Sequence, residues 1–278
     1  MNVGIIGTGN MGTILIESFI ESRAVAPSSL YITNRTLSKT DKLKNQYPEL
    51  TIEKCAEDIV AVADVVFICI KPLDIYPLLT KLAPILRPNQ CIVSITSPLS
   101  VRQIESVVNC NVARAIPSIT NRALSGVSLL TFGENCSSEY QEYLSELFQH
   151  ISIPVLIEDK VTRVASDIVS CGPAFFSYLL QQFIISAVEE TEISKEQATE
   201  LASGMIVGMG KLIDKGIFTL PTLQEKVCVK GGVTGEGIKV MEQELGEMFN
   251  HLFHKTHEKY YEDIREVTEQ FDYKKDHI

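Results

Sequence analysis

A short apolar run, Val3–Ile6, opens the chain and leads directly into Gly7-Thr8-Gly9-Asn10-Met11-Gly12. Apolar residues then recur at helical spacing, at Met11, Ile14, Leu15 and Phe19. Strand, G-x-G-x-x-G turn and amphipathic helix, in that order, leave few folds open. The glycines permit a tight turn and close approach of backbone to ligand. The helix they open aims free N–H groups and the positive end of its dipole at that turn. The expectation is a Rossmann domain with Ile6, Gly7, Thr8, Gly9, Asn10, Met11 and Gly12 around the pyrophosphate of a dinucleotide.

The rest of the first half agrees. Leu30–Thr33, Asp64–Ile70, Cys91–Ile95, Val112–Ala115, Val127–Phe132 and Val155–Ile157 read as strands, with helical patterns before several of them. This βαβα alternation predicts an α/β fold with a doubly wound sheet. After Glu158 strand signals stop. Ser194 with Gln197 and Thr222 with Glu225 have capping-box spacing, and a last helical stretch runs from about Glu236 to Ile264. We therefore expect a dinucleotide-binding domain over 1–158, an all-α domain over 159–266 and a polar tail over 267–278. At 278 residues the chain suits two domains.

The choice of dinucleotide turns on the end of the second strand. An NAD site places an acid about 20 residues after the glycines, bonded to the ribose hydroxyl. Here the strand ends Thr33-Asn34-Arg35-Thr36. Arg35 can clamp a 2′-phosphate with Asn34 beside it, or be a surface loop arginine; the missing acid disfavours NAD in either case. NADP(H) is the expected cofactor. Ligands in such sheets lie outside the carboxyl ends of strands, which places Ile70, Lys71, Pro72 and Ile95 near it. Lys71 can equally be a strand-end lysine facing water.

Composition narrows the partners. A net charge of −10 argues against nucleic acid, and no Lys/Arg run suggests a membrane surface. Seven cysteines without a CxxC pair argue against a metal site. His251, His254 and His257 fan around a helix and read as a solvated face. Ala174–Val188 is apolar but short for a bilayer span and is interrupted by Ser177, Gln181 and Gln182. With no signal peptide ahead of the first strand, a cytoplasmic protein is expected. A second copy of the chain would cover the apolar helical half.

Two further glycine clusters open helices: Ser170-Cys171-Gly172-Pro173-Ala174 and Lys230-Gly231-Gly232-Val233-Thr234-Gly235. A Gly-Gly turn before a helix presents backbone donors that suit a carboxylate or phosphate. Thr234 is either the helix cap or a hydroxyl offered to a ligand.

These clusters, together with the opening GTGNMG, Asn34-Arg35, the run ending Lys71-Pro72 and Arg114-Ala115-Ile116-Pro117, resemble the pyrroline-5-carboxylate reductase family over nearly the whole chain. The pattern is most similar to the branch encoded with late competence genes. The resemblance implies a Rossmann domain, a helical dimerisation domain and NAD(P)H-dependent reduction of a cyclic imine acid to proline or a related product. It also implies a homodimer, or a higher oligomer, with its substrate site at the dimer interface. Gly172, Gly231, Gly232, Val233 and Thr234 then bind substrate, with Thr234 the catalytic hydroxyl near the ring nitrogen.

The chain departs from the family at several positions. Ser118 stands where the family has Asn, Val229-Lys230 replace Ser-Pro, Ala56 replaces an Asn, and Thr96-Ser97-Pro98 replace Ala-Ala-Gly. Dinucleotide binding is expected to be intact and substrate recognition altered. An alternative is an NADP-binding regulator on a reductase scaffold. A hydroxyacid dehydrogenase would need an acid–base, often a lysine on the first long helix of the second domain, and Pro173–Ser194 contains none.

Overall fold

The computed structural model describes residues 1–272. Its first half alternates strands and helices: β1 (Val3–Ile6), α1 (Asn10–Glu21), β2 (Leu30–Thr33), α2 (Asp41–Gln46), β3 (Thr51–Ile52), α3 (Ala56–Val62), β4 (Val65–Ile68), α4 (Pro72–Leu82), β5 (Cys91–Ser94), α5 (Val101–Glu105), β6 (Asn111–Ile116), β7 (Val127–Phe132), α6 (Ser138–Gln149) and β8 (Ile153–Leu156). The helical part comprises α7 (Thr162–Ser166), α8 (Gly172–Glu190), α9 (Lys195–Asp214), α10 (Leu220–Val227), α11 (Val233–Leu245) and α12 (Met248–Asp272).

The eight strands form one sheet in the order β3-β2-β1-β4-β5-β6-β7-β8. All neighbours are parallel except β6 and β7, which are antiparallel. β1 and β4 are wholly buried because helices cover both faces, which is why their sequences are continuous apolar runs. Pro154 cannot donate to a ladder and sits in β8, the edge strand. On one face Phe19, Phe67 and Phe148 stack with centroids 5.7–6.1 Å apart. The other face holds Ile59, Ile68, Leu79, Ile104 and Val112. The direction of winding reverses between β1 and β4, so the crevice for a ligand lies at their carboxyl ends.

Two compact units are resolved. One is Met1–Pro173 with the chain from Phe253 onward; the other is Ala174–Leu252. The last helix therefore returns to the sheet unit. Val267 is 1% exposed in the core layer with Ile104 and Val112, and Phe271 meets Tyr76 edge-on at 4.6 Å. Residues 267–272 are thus helix and not a polar tail: Val267 and Phe271, four apart, carry the apolar face of α12 onto the sheet unit. Residues 273–278 lie outside the described residues.

Other local readings shift as well. β3 pairs at the sheet edge and, at two residues, carries no periodic signal. The capping box of α10 is Thr219 with Thr222, not Thr222 with Glu225, because Pro221 suits the helix's first turn. The expected last helix is two helices, broken at Gly246 with φ +46°. The Ser194–Gln197 box caps α9 as its spacing requires.

Candidate active site

Strand register assembles the dinucleotide site. Ile6, the last residue of β1, pairs with Thr33 of β2 and with Ile68 of β4, which pairs with Ser94 of β5. Gly7, Asn34, Cys69 and Ile95 consequently emerge side by side along one sheet edge. Each strand contributes one segment expected from the sequence: Gly7–Gly12, Asn34-Arg35, Ile70-Lys71-Pro72 and Ile95. Gly9 and Asn10 are exposed, while Gly7, Thr8 and Gly12 are buried beneath them and Met11 is half-buried.

Each glycine of the motif has its own reason. Gly7 has φ +104°, and a Cβ there would meet the Cys69 carbonyl. A Cβ on Gly12 would collide with the Gly7 carbonyl and touch the Cys69 side chain. These two positions close the turn against the sheet. Around Gly9 there is open space, so its bareness serves whatever lies above it. Gly9 is the N-cap of α1 with no side-chain cap, and the first turn carries no acid. The first N–H groups of this helix are thus left for an external acceptor. Thr8 Oγ1 is buried without a partner among the described residues, a second group awaiting one. The Thr8 N–H bonds Asn34 Oδ1 at 3.3 Å, tying the turn to the end of β2. A contact between residues 26 apart leaves no local sequence signal. Burial pushes the Cys69 thiol well above its ordinary range, so the floor of the turn stays uncharged.

Beyond β2, Arg35 is exposed, and Lys39 stands exposed in the short helical turn Leu37–Lys39. Lys39 is a cation that the sequence reading missed, because it lies past the motif. Lys71 is the N-cap residue of α4 and is exposed, with Pro72 at the first helical position. These residues fit a dinucleotide: backbone donors for the pyrophosphate, no acid at the ribose position and cations at the loop after β2.

The residues that the family resemblance assigns to substrate divide between the two units. Gly172 is buried at the start of α8, after a π-helical turn over Asp167–Cys171. Gly231, Gly232, Val233 and Thr234 belong to the other unit. There Gly231 takes φ +76° and Gly232 caps α11, its N–H bonded to the Val229 carbonyl at 2.9 Å. No side chain caps the helix, and Val233 is 90% exposed. Thr234 lies inside the first turn rather than at the cap, which removes the capping explanation for its hydroxyl. The turn therefore presents uncapped N–H groups with a hydroxyl one residue on.

Two of the departures from the family pattern, and Arg114 of the shared pattern, also receive places. Ser118 is fully buried, and its hydroxyl donates to the Val169 carbonyl at 2.8 Å. Arg114 is 2% exposed; it bonds Asp159 Oδ1 at 2.6 Å and Thr162 Oγ1 at 2.8 Å. Val229 and Lys230 are exposed.

Comparison with known proteins agrees with this geometry. The family model for pyrroline-5-carboxylate reductase dimerisation matches residues 159–263, and that for NADP oxidoreductase, coenzyme F420-dependent, matches residues 2–98. ComE operon protein 4 of Bacillus subtilis is 57% identical over 98% of this chain and 99% of its own length. Pyrroline-5-carboxylate reductase 3 of the same organism is 30% identical over 93% of this chain and 95% of its own. Among solved structures, the NADP-bound pyrroline carboxylate reductase of Plasmodium falciparum superposes with a TM-score of 0.81 at 19% identity, covering 96% of this chain and 98% of that one. The helical run Asp159–Glu190, 32 residues, is longer than the sequence stretch suggested and would pass by length and composition for a membrane span. Its place in the dimerisation match reads that apolar surface as partner-facing instead. By its glycine turn, its strand-end residues and these relatives, the chain belongs to the pyrroline-5-carboxylate reductase family of NADP oxidoreductases.

Proposed function

We propose that this protein reduces a cyclic imine acid, 1-pyrroline-5-carboxylate or a close relative of it, with NADPH, as a cytoplasmic homodimer. The observation that carries this reading is the uncapped Gly231–Gly232 turn at the start of α11, present alongside an intact dinucleotide cradle. The backbone N–H groups of Val233 and Thr234 hold the substrate carboxylate, since backbone donors survive the exchange of Ser-Pro for Val229-Lys230. The Thr234 hydroxyl orients the ring nitrogen and keeps its proton in place. NADPH, when bound, supplies the hydride that the imine carbon accepts. A protonated imine needs little further acid catalysis, so orientation accounts for much of the rate.

Val229 is apolar where the family has a hydroxyl, and Ser118 is committed to Val169. Losing one polar contact typically costs about 0.5–1.5 kcal/mol, so with two lost, turnover roughly ten- to a hundredfold below a dedicated proline enzyme is expected. The test is NADPH oxidation with pyrroline-5-carboxylate and a panel of cyclic imine acids. Thr234→Ala should lower kcat/KM and leave NADPH affinity unchanged. A dimer that binds NADPH yet turns over none of the panel would favour the regulator reading.

A further inference from the structure

α12 encloses a cavity of about 350 Å³ against the β5–α5 turn, and every residue lining it belongs to the sheet unit. Neither the glycine turn nor Gly231–Thr234 contributes to it. Arg114 forms one wall, Asp159, Lys160 and Arg163 another, and Tyr260, Tyr261 and Ile264 of α12 a third.

The two arginines are held differently. Arg114 is saturated at both terminal nitrogens, though its Nε, like that of Arg163, is buried without a partner: Nη2 bonds Asp159, Thr131 and Thr162, and Nη1 bonds the carbonyls of Ser97 and Leu99. It is a fixed strut. Arg163 has a side chain only 15% exposed, and its described hydrogen bonds all run through Nη2, to Asp167 Oδ1 at 2.8 Å and Cys171 Sγ at 3.4 Å. Its Nε is buried without a partner, and Nη1 appears in no described bond. The guanidinium stands 5.5 Å from the centre of the Tyr260 ring, which fixes its plane. Asp167 is itself 1% exposed and also accepts from Thr256 at 2.7 Å, so it cannot turn to serve Nη1.

Asp159 and Asp167 neutralise the arginines, so the cavity attracts by directed donors and not by net charge. A guanidinium this buried is normally hydrogen-bonded on every side. Nε has no solvent contact, so Nη1 is the nitrogen left to meet an acceptor entering from the cavity. Lys160 stands at the mouth, 74% exposed and paired at 2.6 Å with the equally exposed Glu158, a surface pair that solvent and a ligand can both exchange. Opposite, the two tyrosine rings and Ile264 offer an apolar face that inorganic phosphate would leave unused. The volume falls at the lower end of small-molecule sites, roughly 300–1,000 Å³.

We propose that this cavity binds a small organic carboxylate, its acid group on Arg163 and its carbon body against Tyr260, Tyr261 and Ile264. The cavity shares no lining residue with the glycine turn or with Gly231–Thr234, and the proposal does not depend on what is reduced there.

The test is calorimetric titration of the full-length protein with benzoate at constant ionic strength. Saturable binding of one benzoate per chain is expected. Arg163→Lys, which keeps the charge and loses the fork, should weaken it roughly tenfold. Lys160→Glu, at an exposed position outside the core, should also weaken it and keeps the test open if Arg163→Lys fails to fold. NADPH should bind with unchanged affinity when benzoate is saturating. Absence of saturable binding overturns the proposal, as does wild-type affinity in both variants. Displacement of benzoate by NADPH would place it in the cofactor crevice, and inorganic phosphate binding as tightly as benzoate would remove the organic assignment; either result also overturns it.

Discussion

The Ser118 hydroxyl donates to the Val169 carbonyl at 2.8 Å, the carbonyl four residues before Pro173. The bond ties the segment after β6 to the π-helical turn ahead of α8, across 51 residues of chain. Ser118 Oγ accepts in turn from Thr120 Oγ1 at 3.0 Å. Ser118→Ala should therefore cost stability, about 1–3 kcal/mol for a buried carbonyl left unpaired, and leave NADPH affinity alone. Urea unfolding with a lower midpoint and unchanged slope is the expected result.

The glycines of the first turn should separate folding from binding. Gly12→Ala puts a methyl into the Gly7 carbonyl and should destabilise the protein by about 1–3 kcal/mol. Gly9→Ala meets only open space, so its melting temperature should match the wild type while its NADPH affinity falls about tenfold or more. Equal effects of both on stability would contradict the division of roles argued above.

Arg35 stands exposed past β2 with no acid beside Asn34. The wild type should bind NADPH more tightly than NADH. Arg35→Asp should erase or reverse that preference by setting a like charge against the 2′-phosphate, and Lys39→Ala should weaken it in the same direction. Fluorescence titration with both cofactors reads this directly. Equal dissociation constants in the wild type would remove Arg35 from the phosphate site.

In the helical unit Phe176, Phe183 and Leu201 are 63–66% exposed on the single chain. Side chains of this size on a dimerisation-family surface form the core of an interface. Sedimentation should show a dimer at micromolar concentration, and Phe183→Asp should shift it towards monomer.

Alkaline pH should destabilise the sheet unit. Burial pushes the Cys110 thiol up to about 12 from its ordinary 9, and Tyr140 up to about 12 from 10. Both are neutral in the fold and lose protons first in the unfolded chain. Their contribution is full below pH 9 and is lost as pH rises from 9 towards 12. The urea midpoint should fall between pH 8 and pH 10.5, and less steeply in Cys110→Ala.

Sequence alone fixed what depends on near neighbours. The strand–glycine–helix start, the alternation behind the sheet and the Ser194–Gln197 cap are set by spacing over a few residues, where period and turn chemistry act directly. The absent acid after β2 was equally legible, since that position lies at a set distance along the chain. Tertiary structure decided what depends on distant partners. Val267 is core because α12 returns to the sheet, Ser118 is a strut because it meets Val169 across 51 residues, and Arg163 lines a cavity because α12 brings Tyr260 over its guanidinium. Each of these pairings joins segments whose separation along the chain carries no periodic trace, so only the packed fold could reveal them.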